Sequence, residues 1–516
     1  MSARSAKLQR LLHHVDVLSV NGDPDVDIHG VTMDSREVKP GWLFVAITGQ
    51  RFDGHEFVPQ AVQRGAAAII SLREAATSFS VPVIIVADTK KALASISSEF
   101  YENPTSEFKL VGITGTNGKT TLTYLLESIA KSAGMNPGVV GTVEIRYGNV
   151  RETTAHTTPQ APKLQSLFRR MADYGVDVVF MEVSSHGLEL ERVFGCNFAV
   201  GVFTNLTRDH LDFHGDMKQY ARAKALLFNR ELVSSKAEPK VAIANADDPM
   251  SAEVTGGFGG ERLLFGMHED ADIHPVGTVS SSLEGINATI TTPVGAVRVS
   301  SRMVGKHNLE NLTAAVAVAS AMGLEPEVIS AGISSCPVVP GRLEPVGGPS
   351  GCPAVFVDYA HTDDALDNVL NALAPLTSGR LIVVFGCGGD RDPGKRPLMG
   401  RAVANGADMA VVTSDNPRTE DPSKIIENIV PGLIDAGWRL VAKDEFGSSS
   451  GVFAIEENRR NAIELALGTA DDKDVVLIAG KGHETYQLVG DRVLDFDDRV
   501  VAAELLAKVQ QIERLR

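Results

Sequence analysis

Cysteine and tryptophan are scarce in this chain of 516 residues, which contains four of the first and two of the second. The cysteines show neither metal-ligand spacing nor a paired motif, and they are Cys196, Cys336, Cys352 and Cys387. This pattern excludes the disulfide framework of a small secreted domain and a zinc site built on cysteine. We therefore expect buried free thiols in a reducing compartment.

Long apolar runs are missing as well. No stretch approaches the ~20 apolar residues that a membrane-spanning helix needs. The basic residues near the N-terminus, such as Arg4 and Lys7, are not followed by the apolar run of a secretory signal peptide. We therefore expect a cytoplasmic protein with no membrane insertion.

Basic residues are not in excess, because Lys and Arg total 49 against 65 Asp and Glu, for a formal net charge of −16. Nucleic-acid-binding domains usually carry a basic surface, so we expect no nucleic-acid partner. The acidic total still allows a local basic pocket for an acidic small molecule. The hydrophobic fraction of 43% and the charged fraction of 22% are typical of globular proteins and exclude a largely disordered chain.

The length indicates about three domains, at roughly 100–200 residues per domain. Residues 1–105 alternate short apolar runs with helical patterns, as small α/β domains do. Residues 106–337 open with an apolar strand, a glycine-rich turn and a helix, which together predict a parallel sheet of the P-loop ATPase type. Residues 338–516 alternate strands and helices at the spacing of a Rossmann-like, doubly wound sheet. The predicted fold class is therefore α/β with three domains.

A phosphate-binding loop is the strongest single motif, and it reads Gly112-Ile-Thr-Gly115-Thr-Asn-Gly118-Lys119-Thr120-Thr121. Glycines let backbone N–H groups approach phosphate oxygens, and the following helix adds a favourable dipole. Lys119 is placed to reach the outer phosphates, and the Thr120 hydroxyl suits Mg²⁺. Ile113 occupies the first glycine position of the usual pattern, while the strand–turn–helix context is retained.

Two polar clusters follow predicted strands in the same segment, one around Glu182 and one around His210. Ligands of open α/β sheets bind at the carboxyl ends of strands, and a hard cation prefers oxygen ligands. Both residues therefore fit a Mg²⁺ or phosphate site, although such polar groups also serve as helix caps. The stretch Gly305-Lys-His307-Asn308-Leu-Glu-Asn311 fits a helix start with capping side chains as well as it fits a ligand site.

These motifs together resemble the Mur ligase family, over essentially the whole chain. The stretches that carry the resemblance are Gly115-Thr-Asn-Gly-Lys119-Thr-Thr, Glu182-Val-Ser-Ser-His186, Thr204-Asn-Leu-x-x-Asp209-His210, His307-Asn308-x-x-Asn311 and Gly480-Lys-Gly-His-Glu484. The family consists of cytoplasmic, ATP-dependent amide-bond ligases of peptidoglycan precursor synthesis. Within it, Asp415-Asn416-Pro417-Arg418 resembles the signature of members that add meso-diaminopimelate to UDP-N-acetylmuramoyl-L-alanyl-D-glutamate.

The resemblance implies nucleotide, metal and catalytic roles position by position. It assigns ATP binding to Gly115, Thr116, Asn117, Gly118, Lys119, Thr120, Thr121, His307, Asn308 and Asn311. It assigns Mg²⁺ to Thr120, Glu182 and Lys224, and catalysis to Lys119, Lys224 and His210. Lys224 matches a lysine that is carbamylated in this family, although a lysine on an amphipathic helix is ordinarily just solvated.

The resemblance also implies two substrate sites. The N-terminal domain would bind UDP, and the UDP-substrate would meet Met33, Ser35, Gln50, Arg51, Phe52, His156, Thr157, Thr158, Ser185 and Arg192. The amino acid would meet Arg391, Asp415, Asn416, Pro417, Arg418, Gly480 and Glu484. The sequence departs from the family at His156, where Asn is usual, at Asp363, where Pro is usual, and at Leu190, where some members have Gln.

The implied reaction is phosphoryl transfer from ATP to a carboxylate, followed by attack of an amine on the acyl phosphate. We expect the protein to be monomeric.

Two other interpretations remain open. One is a related ligase that adds L-lysine or a folylpolyglutamate synthase, neither of which requires Arg418 for a distal carboxylate. The other is a P-loop nucleotide switch without ligase activity, which the motifs of the third segment disfavour.

Overall fold

A computed structural model describes residues 4–49, 52–73, 79–154, 156–348 and 351–513. The chain forms two compact units. The first consists of Met1–Gly115, Ala130–Asn205 and Asp216–Leu264, and the second of Thr116–Ile129, Leu206–Gly215 and Phe265–Arg516. These units divide the chain differently from the three predicted domains, so the bounds 1–105, 106–337 and 338–516 stay predictions.

A five-stranded sheet forms the N-terminal part of the first unit. Its strands, in spatial order, are Val17–Asn21, Val83–Val86, Ala68–Ser71, Trp42–Val45 and Gly30–Thr32, and all but the first run parallel. A short pair, Ala6–Lys7 and Asp27–Ile28, stands apart, and the helices are Leu8–Leu11, Val58–Gln63 and Thr89–Phe100, with 3₁₀ turns at Gly54–Phe57 and Pro104–Ser106. Apolar side chains pack on both sheet faces.

An eight-stranded sheet forms the rest of the first unit. Its order is Val150–Glu152, Ile145–Tyr147, Pro137–Val140, Val178–Glu182, Lys109–Thr114, Phe198–Phe203, Val241–Asn245 and Glu261–Phe265. The strands from Pro137–Val140 to Val241–Asn245 are parallel. They read as near-continuous apolar runs because parallel strands are buried on both faces.

α-Helices and one π-helical turn accompany this sheet. The α-helices are Lys119–Ser132, Ala161–Asp173, Ser185–Glu189, Met217–Leu226 and Ser251–Thr255, and the π-helical turn covers Leu227–Leu232. The first of them is the helix that the sequence predicted after the glycine-rich turn, and it ends at Ser132. Its first eleven residues belong to the second unit.

A seven-stranded sheet dominates the second unit. Its order is Glu344–Val346, Ala354–Asp358, Val475–Ala479, Leu381–Phe385, Met409–Val412, Val452–Ile455 and Arg439–Leu440, and only the first strand is antiparallel to its neighbour. Successive residues of one strand point to opposite faces of the sheet and pack in different hydrophobic cores. Val383, for example, packs in the core on one face and Val384 in the core on the other. The predicted α/β class with doubly wound parallel sheets is therefore confirmed.

The remaining elements of the second unit surround this sheet or precede it in the chain. The helices are Leu211–His214, Lys306–Ala321, Pro326–Ser334, Asp363–Leu373, Lys395–Gly406, Pro422–Asp435, Arg459–Thr469 and Asp498–Glu513, with a 3₁₀ turn at Ala374–Leu376. An antiparallel sheet contains His274–Ser282, Gly285–Thr292 and Gly295–Ser301, and a hairpin contains Tyr486–Val489 and Arg492–Asp495.

The sequence predicted that no helix spans a membrane and that the cysteines are buried free thiols. Within the described ranges, no helix combines the length and apolarity needed to cross a membrane. Cys196 and Cys387 are buried free thiols as expected, whereas Cys336 and Cys352 are only partly buried, so the expectation of burial is wrong for these two. They lie in loops near residues 337 and 351 rather than in the sheets.

A buried ion pair fastens the last helix to the seven-stranded sheet. The Arg459 side chain donates from Nε and Nη2 to Asp498, each at 2.7 Å, and from Nη2 to the carbonyl of Ala479 at 2.9 Å. Both side chains are inaccessible to solvent. Removing one charge of such a pair leaves the other buried without compensation.

We therefore expect Asp498→Asn to lower the free energy of unfolding by about 3–5 kcal/mol. The control is Glu504→Gln, which breaks the neighbouring solvent-exposed pair with Arg460 and should cost no more than ~1 kcal/mol. Urea denaturation of the two variants measures the difference, and equal costs would contradict this account of the pair.

Candidate active site

The phosphate loop begins at the carboxyl end of the strand Lys109–Thr114 and leads directly into the helix Lys119–Ser132. Gly118 has φ of +87°, and a Cβ there would overlap Asn311 Oδ1, so the position requires glycine. Lys119 Nζ donates to the carbonyl of Thr116 at 2.8 Å. Thr120 and Thr121 are buried at the start of the helix. Asn311 thus lies against Gly118 within the second unit, and its role in ATP binding stays a prediction.

A second loop, after the strand Phe198–Phe203, is tied to the phosphate loop through Thr207. The Thr207 amide donates to Thr116 Oγ1 at 3.0 Å. Asp364 Oδ2 accepts from Thr207 Oγ1 at 2.8 Å and from Asn117 Nδ2 at 3.1 Å. One carboxylate in the first turn of the helix Asp363–Leu373 therefore holds both loops.

A histidine pair and a carboxylate gather near the phosphate-loop lysine. Burial alone would raise the pKa of Asp209, but His210, His361 and Lys119 outweigh it and hold that pKa below its ordinary value. His210 Nε2 lies 3.4 Å from Asp209 Oδ2, and its backbone is left-handed with φ of +54°. The family resemblance assigns a catalytic role to His210 and no role to His361, although His361 lies in a family motif, Val357-Asp358-Tyr-Ala-His361-Thr362.

Arg342 is another residue that the sequence analysis missed. Its Nη2 lies 3.4 Å from Thr120 Oγ1, and its guanidinium lies 4.9 Å from the centre of the Tyr359 ring. His307 is buried, and this burial and Arg342 lower its pKa to about 4, so it is neutral at pH 7. The only hint in the sequence was a basic residue inside the proline- and glycine-rich stretch that we took as a domain boundary.

Residues 305–311 form the predicted helix start, because the helix Lys306–Ala321 begins after Gly305. The predicted capping is wrong, because the residue at the N-cap is a glycine and no side chain caps this helix. The buried amides instead bond one another and the backbone, since Asn311 Nδ2 donates to Asn308 Oδ1 at 3.1 Å and Asn308 Nδ2 donates to the carbonyl of Val304 at 2.8 Å. His307 Nδ1 is buried and makes no hydrogen bond within the described chain.

The first unit holds a separate group of predicted residues around Glu182, at the end of the strand Val178–Glu182. Its Oε2 accepts from Thr142 Oγ1 at 2.9 Å, and that hydroxyl lies 3.0 Å from Thr157 Oγ1. Thr158 Oγ1 donates to the carbonyl of Glu182 at 3.0 Å, and Arg192 Nη1 donates to the carbonyl of Thr158 at 2.8 Å. Sequence reasoning missed Thr142.

Helix capping explains one residue of this group. Ser184 Oγ accepts from the amide of Gly187 at 3.0 Å and caps the helix Ser185–Glu189. The alternative of a capping role is therefore confirmed for Ser184 alone. Ser185, which was predicted to meet the UDP-substrate, is buried in the first turn of that helix.

Lys224 is buried, with 1% of its surface exposed, so the ordinary expectation of a solvated lysine is wrong. Its Nζ donates to the carbonyl of Gly115 at 2.8 Å and lies 4.3 Å from the centre of the Tyr220 ring. The helix Met217–Leu226, capped by Asp216, positions it. Within the first unit, the lysine thus lies against the beginning of the phosphate loop.

The predicted amino-acid residues converge at the carboxyl edge of the seven-stranded sheet. The side chains of Arg391 and Arg418 both lie close to Gly388. Arg418 Nη1 donates to the carbonyl of Gly389 at 2.8 Å. The Arg418 amide donates to the carbonyl of Leu488 at 3.0 Å, which joins the loop to the hairpin. Arg418 is left-handed, with φ of +52°. Arg418 is partly buried and held by these contacts, so its proposed role in binding the amino acid stays a prediction.

An acidic pocket lies beside these arginines. Asp415 and Asn416 are buried, as is Pro417. Asn416 Nδ2 donates to Glu484 Oε2 at 2.8 Å. Gly480 has φ of +119°, and a Cβ there would lie 3.1 Å from Asp415 Oδ2. Burial raises the pKa of Glu484.

The structure describes three of the five N-terminal residues that were predicted to bind the UDP-substrate. Gln50 and Arg51 lie outside the described residues. Met33 packs against the N-terminal core, and Ser35 Oγ donates to Gln60 Oε1 at 2.7 Å, so both have structural contacts. Phe52 is 70% exposed and makes an edge contact with Phe57.

Comparison with known proteins matches three domain types along the chain. Residues 27–101 match the Mur ligase family catalytic domain, residues 113–319 the Mur ligase middle domain and residues 341–482 the Mur ligase glutamate ligase domain. A UDP-N-acetylmuramoyl-L-alanyl-D-glutamate–2,6-diaminopimelate ligase from Geobacter metallireducens is 43% identical over 98% of this chain and 100% of its own length.

The chain belongs to the Mur ligase family. A ligase of the same name from Gloeobacter violaceus is 45% identical over 94% of this chain and 95% of its own. A solved structure of a ligase of that name matches with a TM-score of 0.70 and 31% identity, covering 98% of this chain and 99% of that chain. A D-alanyl-D-alanyl-adding ligase from Acinetobacter baumannii shares the fold, with a TM-score of 0.61 and 19% identity over 99% of both chains.

Asp364 provides a test of how this Mur ligase holds its phosphate loop. Because Asp364 accepts from both loops, we expect Asp364→Ala to raise the KM for ATP by about 10- to 100-fold, the equivalent of losing one hydrogen bond to a charged group. Asp363→Ala is the matched control, since it sits in the same first helical turn and makes no such loop contact within the described residues. Steady-state kinetics of both variants measure the effect, and equal changes would refute the assignment.

Proposed function

We propose that this Mur ligase adds meso-diaminopimelate to UDP-N-acetylmuramoyl-L-alanyl-D-glutamate at the expense of ATP. One observation carries the proposal. Two arginines and two carboxylates, Arg391, Arg418, Asp415 and Glu484, lie in adjoining loops at one sheet edge. Such a site suits a substrate that carries both ammonium and carboxylate groups. The names of the full-length relatives support the same substrates.

The choice of amino acid follows from charge complementarity. Meso-diaminopimelate differs from L-lysine by a carboxylate on its distal carbon. A planar guanidinium can hold a carboxylate through two parallel hydrogen bonds, which L-lysine cannot accept. Arg418 Nη1 already donates to the carbonyl of Gly389, and this bond restrains the guanidinium. The carboxylates of Asp415 and Glu484 suit the accompanying ammonium.

The chemistry begins at the phosphate loop. The γ-phosphoryl group of ATP passes to the free carboxylate of the D-glutamyl residue, giving ADP and an acyl phosphate. The amine of diaminopimelate then attacks the acyl carbon, the C–O bond to phosphate breaks, and the amine releases a proton. Lys119 neutralises phosphate charge, and the tied loops position the reactants. Water must be excluded, because it would hydrolyse the acyl phosphate.

Mg²⁺ is part of the proposal. The family resemblance assigns the ion to Thr120, Glu182 and Lys224, and the hydroxyl and carboxylate oxygens among these side chains are the ligands that a hard cation prefers. Thr120 is buried in the first turn of the helix Lys119–Ser132, and Glu182 is buried at the end of the strand Val178–Glu182. Bound Mg²⁺ would neutralise phosphate charge. Cytoplasmic location and a monomeric state stay predictions from the sequence.

Phosphate release with defined substrates tests the proposal. We expect release only when ATP, the UDP-muramoyl-dipeptide and an amino acid are all present, and meso-diaminopimelate to be preferred over L-lysine in a panel of diamino acids. Release without the dipeptide would favour a nucleotide switch. Equal use of L-lysine would favour a ligase of different specificity.

Arg418→Ala should lower kcat/KM for meso-diaminopimelate by at least ~10²-fold, because a charged hydrogen-bond pair is lost and its partner is left unpaired. The value for L-lysine should change far less. Arg401→Ala, at an exposed position on the helix Lys395–Gly406, is the control. A variant at position 418 that retains the full preference for meso-diaminopimelate would exclude this role.

Lys224 is proposed to carry a carbamate, formed when its neutral amine adds CO₂ and releases a proton. The burial of its Nζ beside Gly115 supports a special role. We expect Lys224→Ala to be inactive, with partial rescue by short carboxylic acids that replace the anion. Lys218→Ala, on the exposed side of the same helix, should remain active. Mass spectrometry showing unmodified Lys224 in fully active enzyme would contradict the carbamate.

A further inference from the structure

Lys481 is a buried lysine among the residues proposed to hold the amino acid, yet neither the sequence motifs nor the proposed reaction gives it a role. It follows Gly480 at the end of the strand Val475–Ala479, and its side chain is inaccessible to solvent. Burying an ammonium costs free energy unless oxygen partners surround it. The partners of Lys481 therefore indicate what the residue does.

Three oxygens from the proposed amino-acid site surround this ammonium. Lys481 Nζ lies 3.3 Å from both Asn416 Oδ1 and Glu484 Oε2. It lies 3.8 Å from Asp415 Oδ1, which is an ion pair but too long for a hydrogen bond. Burial raises the pKa of Glu484, and the ammonium opposes that rise and favours the ionised carboxylate.

Asp415 Oδ1, the third oxygen near the Lys481 ammonium, indicates where a substrate group could bind. Asp415 Oδ1 is buried and has no hydrogen-bond partner within the described chain. A buried acceptor without a donor is costly, and such groups are rare in protein interiors. Lys481 balances part of the Asp415 charge without using this acceptor. The oxygen therefore remains available for a donor that arrives with the substrate.

The charges of the pocket agree with this interpretation. Asp415 and Glu484 bring two negative charges, and Lys481 brings one positive charge. One substrate ammonium would make the group neutral. Arg459, the other cation that interacts with these carboxylates, is already paired with Asp498.

We propose that Lys481 is a positioning residue for the amino-acid substrate: its ammonium holds Asn416 and Glu484 in place and leaves Asp415 Oδ1 to accept the substrate ammonium. The inference rests on the proposed function, because it takes the pocket to be the amino-acid site. It adds a residue that acts through its neighbours and does not take part in the chemical steps.

A purely structural lysine would behave differently from a positioning one. Loss of a structural residue lowers thermal stability and changes all kinetic parameters together. Loss of a positioning residue raises the KM for the amino acid and leaves the KM values for ATP and the UDP-substrate nearly unchanged. The split between these parameters therefore decides between the two roles.

The test compares Lys481→Met, which keeps the length of the side chain and removes its charge, with Lys424→Met, an exposed lysine on the helix Pro422–Asp435. For Lys481→Met we expect the KM for meso-diaminopimelate to rise at least tenfold, with the other KM values within about threefold. Lys481→Arg, which keeps the charge, should recover part of the loss. Lys424→Met should match the unchanged protein.

Parallel losses in every parameter, or no change in the KM for the amino acid, would overturn the inference. If Lys481→Met does not fold, Lys481→Arg decides: an altered KM for the amino acid alone supports the role, and any other outcome refutes it.

Calorimetric binding separates this inference from the proposed function. If the unchanged protein does not turn over meso-diaminopimelate, the proposed function fails. Binding of the diamino-acid panel then still tests Lys481, since the variant should bind any accepted amino acid at least tenfold more weakly. If the unchanged protein binds none of them, the inference fails too.

Discussion

Parallel strand direction is the constraint on which the candidate site depends. In the seven-stranded sheet, Ala354–Asp358, Leu381–Phe385, Met409–Val412 and Val475–Ala479 run the same way, so their carboxyl ends share one edge. Every proposed amino-acid residue lies in a loop that follows one of the last three strands. An antiparallel neighbour would send its loop to the opposite edge and separate the arginines from the carboxylates. The same direction in the eight-stranded sheet places the phosphate loop and Glu182 at strand ends.

Buried charge is the second recurring feature, and it occurs at structural positions as well as among the residues predicted to bind ligands. Arg459 and Asp498 pair with each other and fasten a helix. His307 Nδ1 and Asp415 Oδ1 are buried without a partner in the described chain, and both belong to residues predicted to contact a ligand. An unpaired buried polar atom costs free energy, and a bound ligand can supply the missing partner. Other atoms without a partner, such as Arg459 Nη1 and Ser320 Oγ, belong to residues with no predicted ligand, so a missing partner supports a binding role only together with the position of the residue.

The sequence predicted the sheets and the phosphate loop because both depend on local pattern. Buried parallel strands read as continuous apolar runs, and the glycines at 115 and 118 precede a helix with a clear apolar period. The residues that were missed act across long separations in the chain. Asp364 meets a residue 247 positions away, and Arg342 meets one 222 positions away. Locally, Asp364 resembles an ordinary acidic residue of a first helical turn, and Arg342 resembles a linker arginine, so no local pattern could find them.

The departures from the family pattern are compatible with the same geometry. Proline and aspartate both suit the first turn of a helix, the one through its fixed φ and the other through the helix dipole. Asp363 follows the capping residue Thr362, so the helix start is kept and Asp364 stays in register with the loops. At position 156, desolvation and the charge of Arg192 lower the pKa of the histidine, which favours the neutral imidazole. A neutral imidazole offers one donor and one acceptor, whereas the usual asparagine amide has two N–H donors, so the departure keeps one donor and an acceptor and loses one donor.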